Sequence, residues 1–217
     1  MICELVPDFQ PSPKDGRPSV SKWQALAGIF WILDNGAKWK DLLKPFGSKS
    51  SVHRWFSRWV KDGVFETILR ALGRFVEEQG HFRLYECFVD GKGLAVAVST
   101  SSASPHESGL IQELFGFMLA KEKPARVIGD KAYDSDPLDA ALAAKGIEMI
   151  APNRSNRTPT QDGRPLRRYR RRWTVERTIA WLQNYRRLCI RWEKSQLAFQ
   201  GFLHLACSLV LLKKVFG

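Results

Sequence analysis

Cysteine and histidine are scarce in this chain, and neither is spaced to hold a metal. Cys3, Cys87, Cys189 and Cys207 lie far apart, and His53, His81, His106 and His204 are equally scattered. The close pairs that a zinc site or a redox motif requires are missing, which argues against structural zinc. The four thiols are therefore expected to be reduced and mostly buried, as in a cytoplasmic protein. A basic start followed by an apolar run and a small-residue cleavage site is also missing, so no secretory signal is expected. The apolar stretch from Ala198 to Leu212 is interrupted by Gln200, His204 and Ser208 and is short for a membrane span. It is expected to be a buried helix, with no membrane as partner. Acid is nearly absent from the tail, where residues 161–217 hold 13 basic side chains and 3 acidic ones.

That last scarcity makes the charge local. Residues 161–194 carry ten Arg and one Lys against Asp162, Glu176 and Glu193, a net +8 of the chain's +12. Residues 81–160 are close to neutral, at −1. Lys and Arg packed this densely attract a polyanion, because neutralised phosphates release counterions and the field speeds encounter. Nucleic acid is the favoured partner, with an anionic membrane surface second. At 217 residues and 44% hydrophobic content the chain can build one large or two small packed domains.

After PSPKDGRP at 11–18, an extended lead-in, Ser21 is placed to cap a helix. Trp23, Leu26, Ala27, Phe30, Trp31 and Leu33 suggest its apolar face, and Gly36 its end. A short helix near Trp39–Leu43, the breaker Pro45-Phe46-Gly47, and a helix capped within Ser48–Ser51 follow. That helix has Val52, Trp55, Phe56 and Trp59 on one side and His53, Arg54, Arg58 and Lys61 on the other. Beyond Gly63 comes a helix through Phe65, Ile68, Leu69, Leu72 and Phe75. Residues 1–80 thus read as an all-α unit of helix-turn-helix type, with residues 50–61 as a recognition helix. A plain helical bundle with a solvated basic face fits the same pattern. Near residue 84 the period changes: Leu84–Val89, Leu94–Val98, Arg126–Ile128 and Glu148–Ala151 are short and β-prone. Helices are expected from near Pro105 and over Pro137–Lys145, so residues 81–217 read as an α/β domain.

Two acids, Asp90 and Asp130, fall at predicted strand ends, where α/β folds collect catalytic groups. Glu176 is the sole acid among the arginines of RRYRRRWTVERTIAWLQNYRRLCIR at 167–191, read as one helical segment. Three converging carboxylates are hard oxygen ligands for Mg²⁺, and a pair of such ions can clamp both oxygens of an in-line phosphoryl displacement. The metals would then lie about 3.5–4 Å apart. Each Asp also has a structural reading, Asp90 as a β-turn residue before Gly91 and Asp130 as a cap of the next segment.

GDKAYDSDPLDAALAAKGIEMIAPNR at 129–154 and RRYRRRWTVERTIAWLQNYRRL at 167–188 closely resemble the catalytic core of the DDE transposases of bacterial insertion sequences. The group is the insertion-sequence five group of the insertion-sequence four superfamily. Residues 16–66 resemble that group's helical DNA-binding domain, so the likeness spans nearly the whole chain. It implies an RNase H-like catalytic domain and a nucleoid-associated protein acting as a homodimer on double-stranded DNA. That DNA would be the terminal inverted repeats of the element and its target. The reaction would be cleavage and strand transfer with two Mg²⁺ ions, Mn²⁺ being able to substitute. Asp90 in CFVDG, Asp130 in IGDKAYDS and Glu176 in RWTVERT match the three catalytic, metal-binding acids. Tyr169, Arg172 and Glu176 follow the family's tyrosine-arginine-glutamate-lysine signature, whose last position here is Gln183. The basic contact expected there falls to Arg186 or Arg187. Arg170, Arg171 and Arg177 complete the expected phosphate-tracking set, with Arg54 and Arg58 on the recognition helix.

One departure from the family pattern stands at 90–93. LYECFVDG runs straight into KGLAVAVSTSSASPHE, as though two Asp-Gly turns had been fused with loss of a loop and one strand. Asp90 then derives from either turn, and a shortened sheet of four strands is expected, with residues 84–89 and 94–98 as a direct hairpin. The domain would fold with reduced stability and give little or no strand transfer. Two rivals follow: a truncated transposase that occupies the repeats as a DNA-binding remnant without cutting, and an RNase H-like nuclease without a transfer step.

Overall fold

A computed structural model describes residues 2–8, 20–79, 86–88, 123–153, 155 and 179–216. The chain divides into two compact units, Met1–Leu72 with Trp181–Gly217, and Gly73–Ala180. This differs from the expected division into 1–80 and 81–217, because the C-terminal helices pack with the N-terminal ones. The hydrophobic reason is plain: their apolar side chains and those of the N-terminal helices bury one another.

The helical unit contains α1 (Ile2–Leu5), α2 (Lys22–Asn35), α3 (Lys49–Lys61), the first turns of α4 (Val64–Glu78), α6 (Arg186–Cys189) and α7 (Gln196–Phe216). Helix α2 begins where its sequence says it should. Ser21 accepts from the Gln24 N–H while the Gln24 side chain accepts from the Ser21 N–H, a reciprocal capping box. Gly36 ends it in the left-handed region at φ 65°, its N–H donating to the Ile32 carbonyl. The buried face, however, is Ala25, Gly28, Ile29, Ile32 and Leu33. Trp23 is 47% exposed, so the aromatic-led face read from the sequence was out of phase by about one position.

Two single 3₁₀ turns, Trp39–Asp41 and Lys44–Phe46, lead to α3, capped by Ser48. Val52, Trp55, Phe56, Trp59 and Val60 are buried, and Arg54, Arg58 and Lys61 are exposed, as the pattern implied. Helix α7 lies against α3, with the Phe56 and Phe202 rings stacked at 4.3 Å between centroids. Trp55, Phe56, Trp59, Phe65 and Phe202 are buried in the core of the unit. Helix α7 is long and apolar enough to cross a membrane by composition alone, yet Phe202, Leu203, Leu205, Ala206 and Leu211 are buried within the protein. Burial pushes the Cys207 thiol up to about 12, so it stays protonated at neutral pH. Cys189 is exposed.

Gly36 also marks a close approach. A Cβ built there would meet Cβ of Arg186 at 2.8 Å and its backbone carbon at 3.0 Å. Gly36→Ala combines this clash with a left-handed backbone that L side chains resist. The expected cost is about 2 kcal/mol or more, read as a lower denaturation midpoint in urea.

The second unit holds a parallel sheet in the order β1 (Glu86–Phe88), β2 (Arg126–Ile128), β3 (Glu148–Ile150). Phe88 is opposite Ile128, and Ile128 opposite Ile150. Helix α5 (Asp136–Ala143) joins β2 to β3, and a core of Val127, Tyr133, Leu138, Leu142, Ile147 and Ala151 forms beneath it. The β-branched and apolar residues of β2 and β3 thus make the α/β arrangement that the sequence implied. The expected strand 94–98, its hairpin and the helix near Pro105 lie outside the described residues, so three strands are seen and the fourth is untested.

Candidate active site

The site is built at the end of β2. Ile128 is buried, Gly129 donates to the Ile150 carbonyl at 3.0 Å, and Asp130 follows, half-buried. Asp130 opens a 3₁₀ turn, Lys131–Tyr133, and its Oδ1 accepts from the Ala132 N–H at 2.8 Å. The capping role read as its structural alternative is therefore real. Capping does not exclude a second role, because an ionised carboxylate has two oxygens and about four lone-pair positions. The bond fixes the carboxylate's direction.

Sequence reasoning missed the groups that hold Asp130 in place. A Cβ on Gly129 would meet Cε of Met149 and the Tyr133 ring, both at 2.7 Å. Tyr133 is buried, so glycine lets the strand end press against it. A glycine directly before an acid at a strand end was the available signal. Arg126 pairs with Glu148 across β2 and β3, clamping the opposite end of the same strands.

Asp90, Glu176, Tyr169, Arg170, Arg171, Arg172 and Arg177 lie outside the described residues, so their geometry is not defined. The parallel register nonetheless has a consequence in chain length. Phe88 and Ile128 are partners, and Asp90 and Asp130 each come two residues later in sequence. Among the described residues no group of three or more His, Cys, Asp or Glu side chains converges as a metal site would. The carboxylate of Asp130 suits a hard divalent cation but needs partners from elsewhere in the chain.

The basic residues separate into two kinds. Arg54 and Arg58 stand exposed on α3, Arg58 within 3.8 Å of Asp62, and Arg186 is exposed on α6. Arg187 is different and corrects the expectation that it contacts DNA. It is 1% exposed, its Nε donates to Oε1 of Glu193 at 3.1 Å, and Nη2 donates to the same oxygen. Nη1 donates to the Ala37 carbonyl, and the guanidinium lies over the Trp39 and Phe202 rings. A guanidinium so enclosed joins the helices of its own unit. The expected single helical segment 167–191 is also broken at its described end. Residues 179–183 are helical, but Asn184 and Tyr185 interrupt before α6 starts.

The described residues thus offer an exposed basic helix in one unit and an acid at the end of a parallel strand in the other. Comparison with known families makes this specific. Residues 1–69 match the family described as "Putative transposase of IS4/5 family", and residues 82–211 match "Transposase DDE domain". The chain belongs to the DDE transposases of insertion sequences. Two relatives are each named "Putative transposase for insertion sequence element", followed by the element. That of IS402 from Burkholderia cepacia is 40% identical over 89 residues, covering 41% of this chain and 39% of the relative. That of IS6501 from Brucella ovis is 35% identical over 133 residues, covering 58% of this chain and 94% of the relative. No solved structure matches the chain.

Proposed function

We propose that this protein binds the terminal inverted repeats of an insertion sequence and cuts the DNA at their ends, with Asp90, Asp130 and Glu176 as the catalytic carboxylates. The observation that supports the reading is the in-register parallel pairing of β1 and β2, with Phe88 opposite Ile128, Asp90 and Asp130 each standing two residues further on in the sequence. Membership of the DDE family supports it. Asp130 would hold Mg²⁺ together with Asp90 and Glu176. The metal would supply Lewis-acid stabilisation to the attacking and leaving oxygens of the phosphodiester. Asp130 itself is oriented by the Ala132 N–H, and the packed Gly129–Tyr133 turn keeps it from moving away. The RNase H-like fold, the helix-turn-helix role of the N-terminal helices and action as a homodimer belong to the same proposal. The test is nicking of repeat-ended DNA in Mg²⁺ or Mn²⁺, against EDTA. Binding without cutting would identify a DNA-binding remnant, and cutting without joining a nuclease.

Arg170, Arg171, Arg172 and Arg177 are proposed to track phosphates, and Arg54 and Arg58 to reach bases from α3. Duplex affinity should then fall with log salt at a slope of about −4 or steeper. Arg170→Ala with Arg171→Ala should flatten that slope by about 1–2 on every duplex. Arg54→Ala with Arg58→Ala should instead alter sequence preference. A flat salt plot for the unaltered protein would place the arginines in internal pairs, as Arg187 already is.

A further inference from the structure

Helix α3 presents Arg54, Arg58 and Lys61 on one side, while its other side packs on α2 and on α7 from the far end of the chain. Gly201 of α7 is buried, and a Cβ placed on it would lie 2.6 Å from Cγ2 of Val60. Next to it, Phe202 stacks on Phe56, and Trp39 lies within 6.0 Å of the Phe202 ring centroid. Arg187 caps this stack from over Trp39 and Phe202 and is fastened by Glu193. Val60 is β-branched and strongly prefers one rotamer in a helix, so an added methyl at Gly201 is expected to shift α7 relative to α3.

We infer that Gly201 and Phe202 of the C-terminal helix are positioning residues for DNA recognition, setting the seat of α3 and so the placement of its arginines. This rests on the reading of α3 as the DNA-reading helix. A DNA-reading unit confined to residues 1–80 would leave Phe56, Val60 and Phe65 without the cover that α7 supplies. The reader is instead built from both ends of the chain. Base readout needs side chains placed to within a few tenths of an ångström, whereas phosphate attraction tolerates displacement. Displacing α3 should therefore reduce sequence discrimination more than it reduces overall DNA affinity.

The full-length chain is used to select a duplex from a random pool, and discrimination is the ratio of its affinity to that for a shuffled duplex. Gly201→Ala should lower this ratio at least fivefold while non-specific affinity changes less than twofold, even though alanine favours a helix over glycine. Adding Val60→Ala, which removes the clashing methyl, should restore the ratio to within about twofold. Phe202→Leu, a milder change at the neighbouring contact, should lower it as well and covers the case in which Gly201→Ala does not fold. Arg54→Ala with Arg58→Ala separates the two claims. If that pair loses discrimination while Gly201→Ala and Phe202→Leu keep it, the positioning inference is wrong and the α3 reading stands. If the Arg pair keeps discrimination, the α3 reading fails and the inference with it. A loss in Gly201→Ala that Val60→Ala does not repair also overturns the inference.

Discussion

Glu193→Ala should lower the free energy of unfolding of the helical unit by about 3–5 kcal/mol, the cost of leaving a buried charge without its partner. Both side chains of the Arg187–Glu193 pair are nearly inaccessible, at 1% and 5% exposure, so solvent screening does little to soften the loss. Oε1 of Glu193 accepts from two of the guanidinium nitrogens, Nε and Nη2, and Oε2 is buried with no hydrogen-bond partner among the described residues. The pair is therefore expensive to desolvate and only partly compensated. Replacing both members by apolar residues of similar size, Arg187→Met with Glu193→Leu, should recover most of the loss. Arg187→Met alone should cost about as much as Glu193→Ala. Chemical denaturation of the four proteins checks this, and additive losses in the double variant would show that the two side chains do not act as a pair.

Asp130→Asn has the largest effect expected on chemistry. The substitution preserves size and leaves an oxygen to accept from the Ala132 N–H, so the turn at 131–133 should remain. What it removes is the negative charge a divalent cation needs. Metal-dependent nicking should fall by at least about a thousandfold, equivalent to about 4 kcal/mol of transition-state stabilisation. DNA affinity should stay within about threefold, since the proposed phosphate contacts come from the arginines and not from Asp130. Nicking that survives at the original rate would remove Asp130 from the catalytic set.

Local signals in the sequence were legible where chemistry is local. Ser21 with Gln24 and the terminal Gly36 bounded α2, Ser48 opened α3, and short β-prone runs marked β2 and β3. What escaped depends on distant partners. Trp23 and Trp31 look like core residues by type, but small Ala25 and Gly28 take the buried positions where α2 meets its neighbours. Arg187 looked like its neighbours in a basic run. It is distinguished by Glu193 six residues on, by the Ala37 carbonyl and by two aromatic rings, most of them contributed from elsewhere in the chain. The same is true of α7: its apolar character announced burial, but the surface that buries it belongs to α3, over a hundred residues earlier. Of the site, Asp130 at the end of β2 was legible. For the groups that hold it, the glycine before the acid was the one local sign, and the fit of Gly129 against Tyr133 and Met149 leaves no pattern in spacing.

The sequence at 90–93, where the family pattern looks shortened, leads us to expect little or no strand transfer, so cutting is the step that tests the three proposed carboxylates. The most direct measurement maps the DNA ends produced when the purified protein is mixed with a duplex carrying the element's terminal repeat. In Mg²⁺ a new 3′-hydroxyl should appear at the repeat's outer end, vanish with EDTA and be absent with Asp90→Asn, Asp130→Asn or Glu176→Gln. Specific binding of that duplex with no new 3′ end in Mg²⁺ or Mn²⁺ would contradict the account and leave a DNA-binding protein without the chemistry of its family.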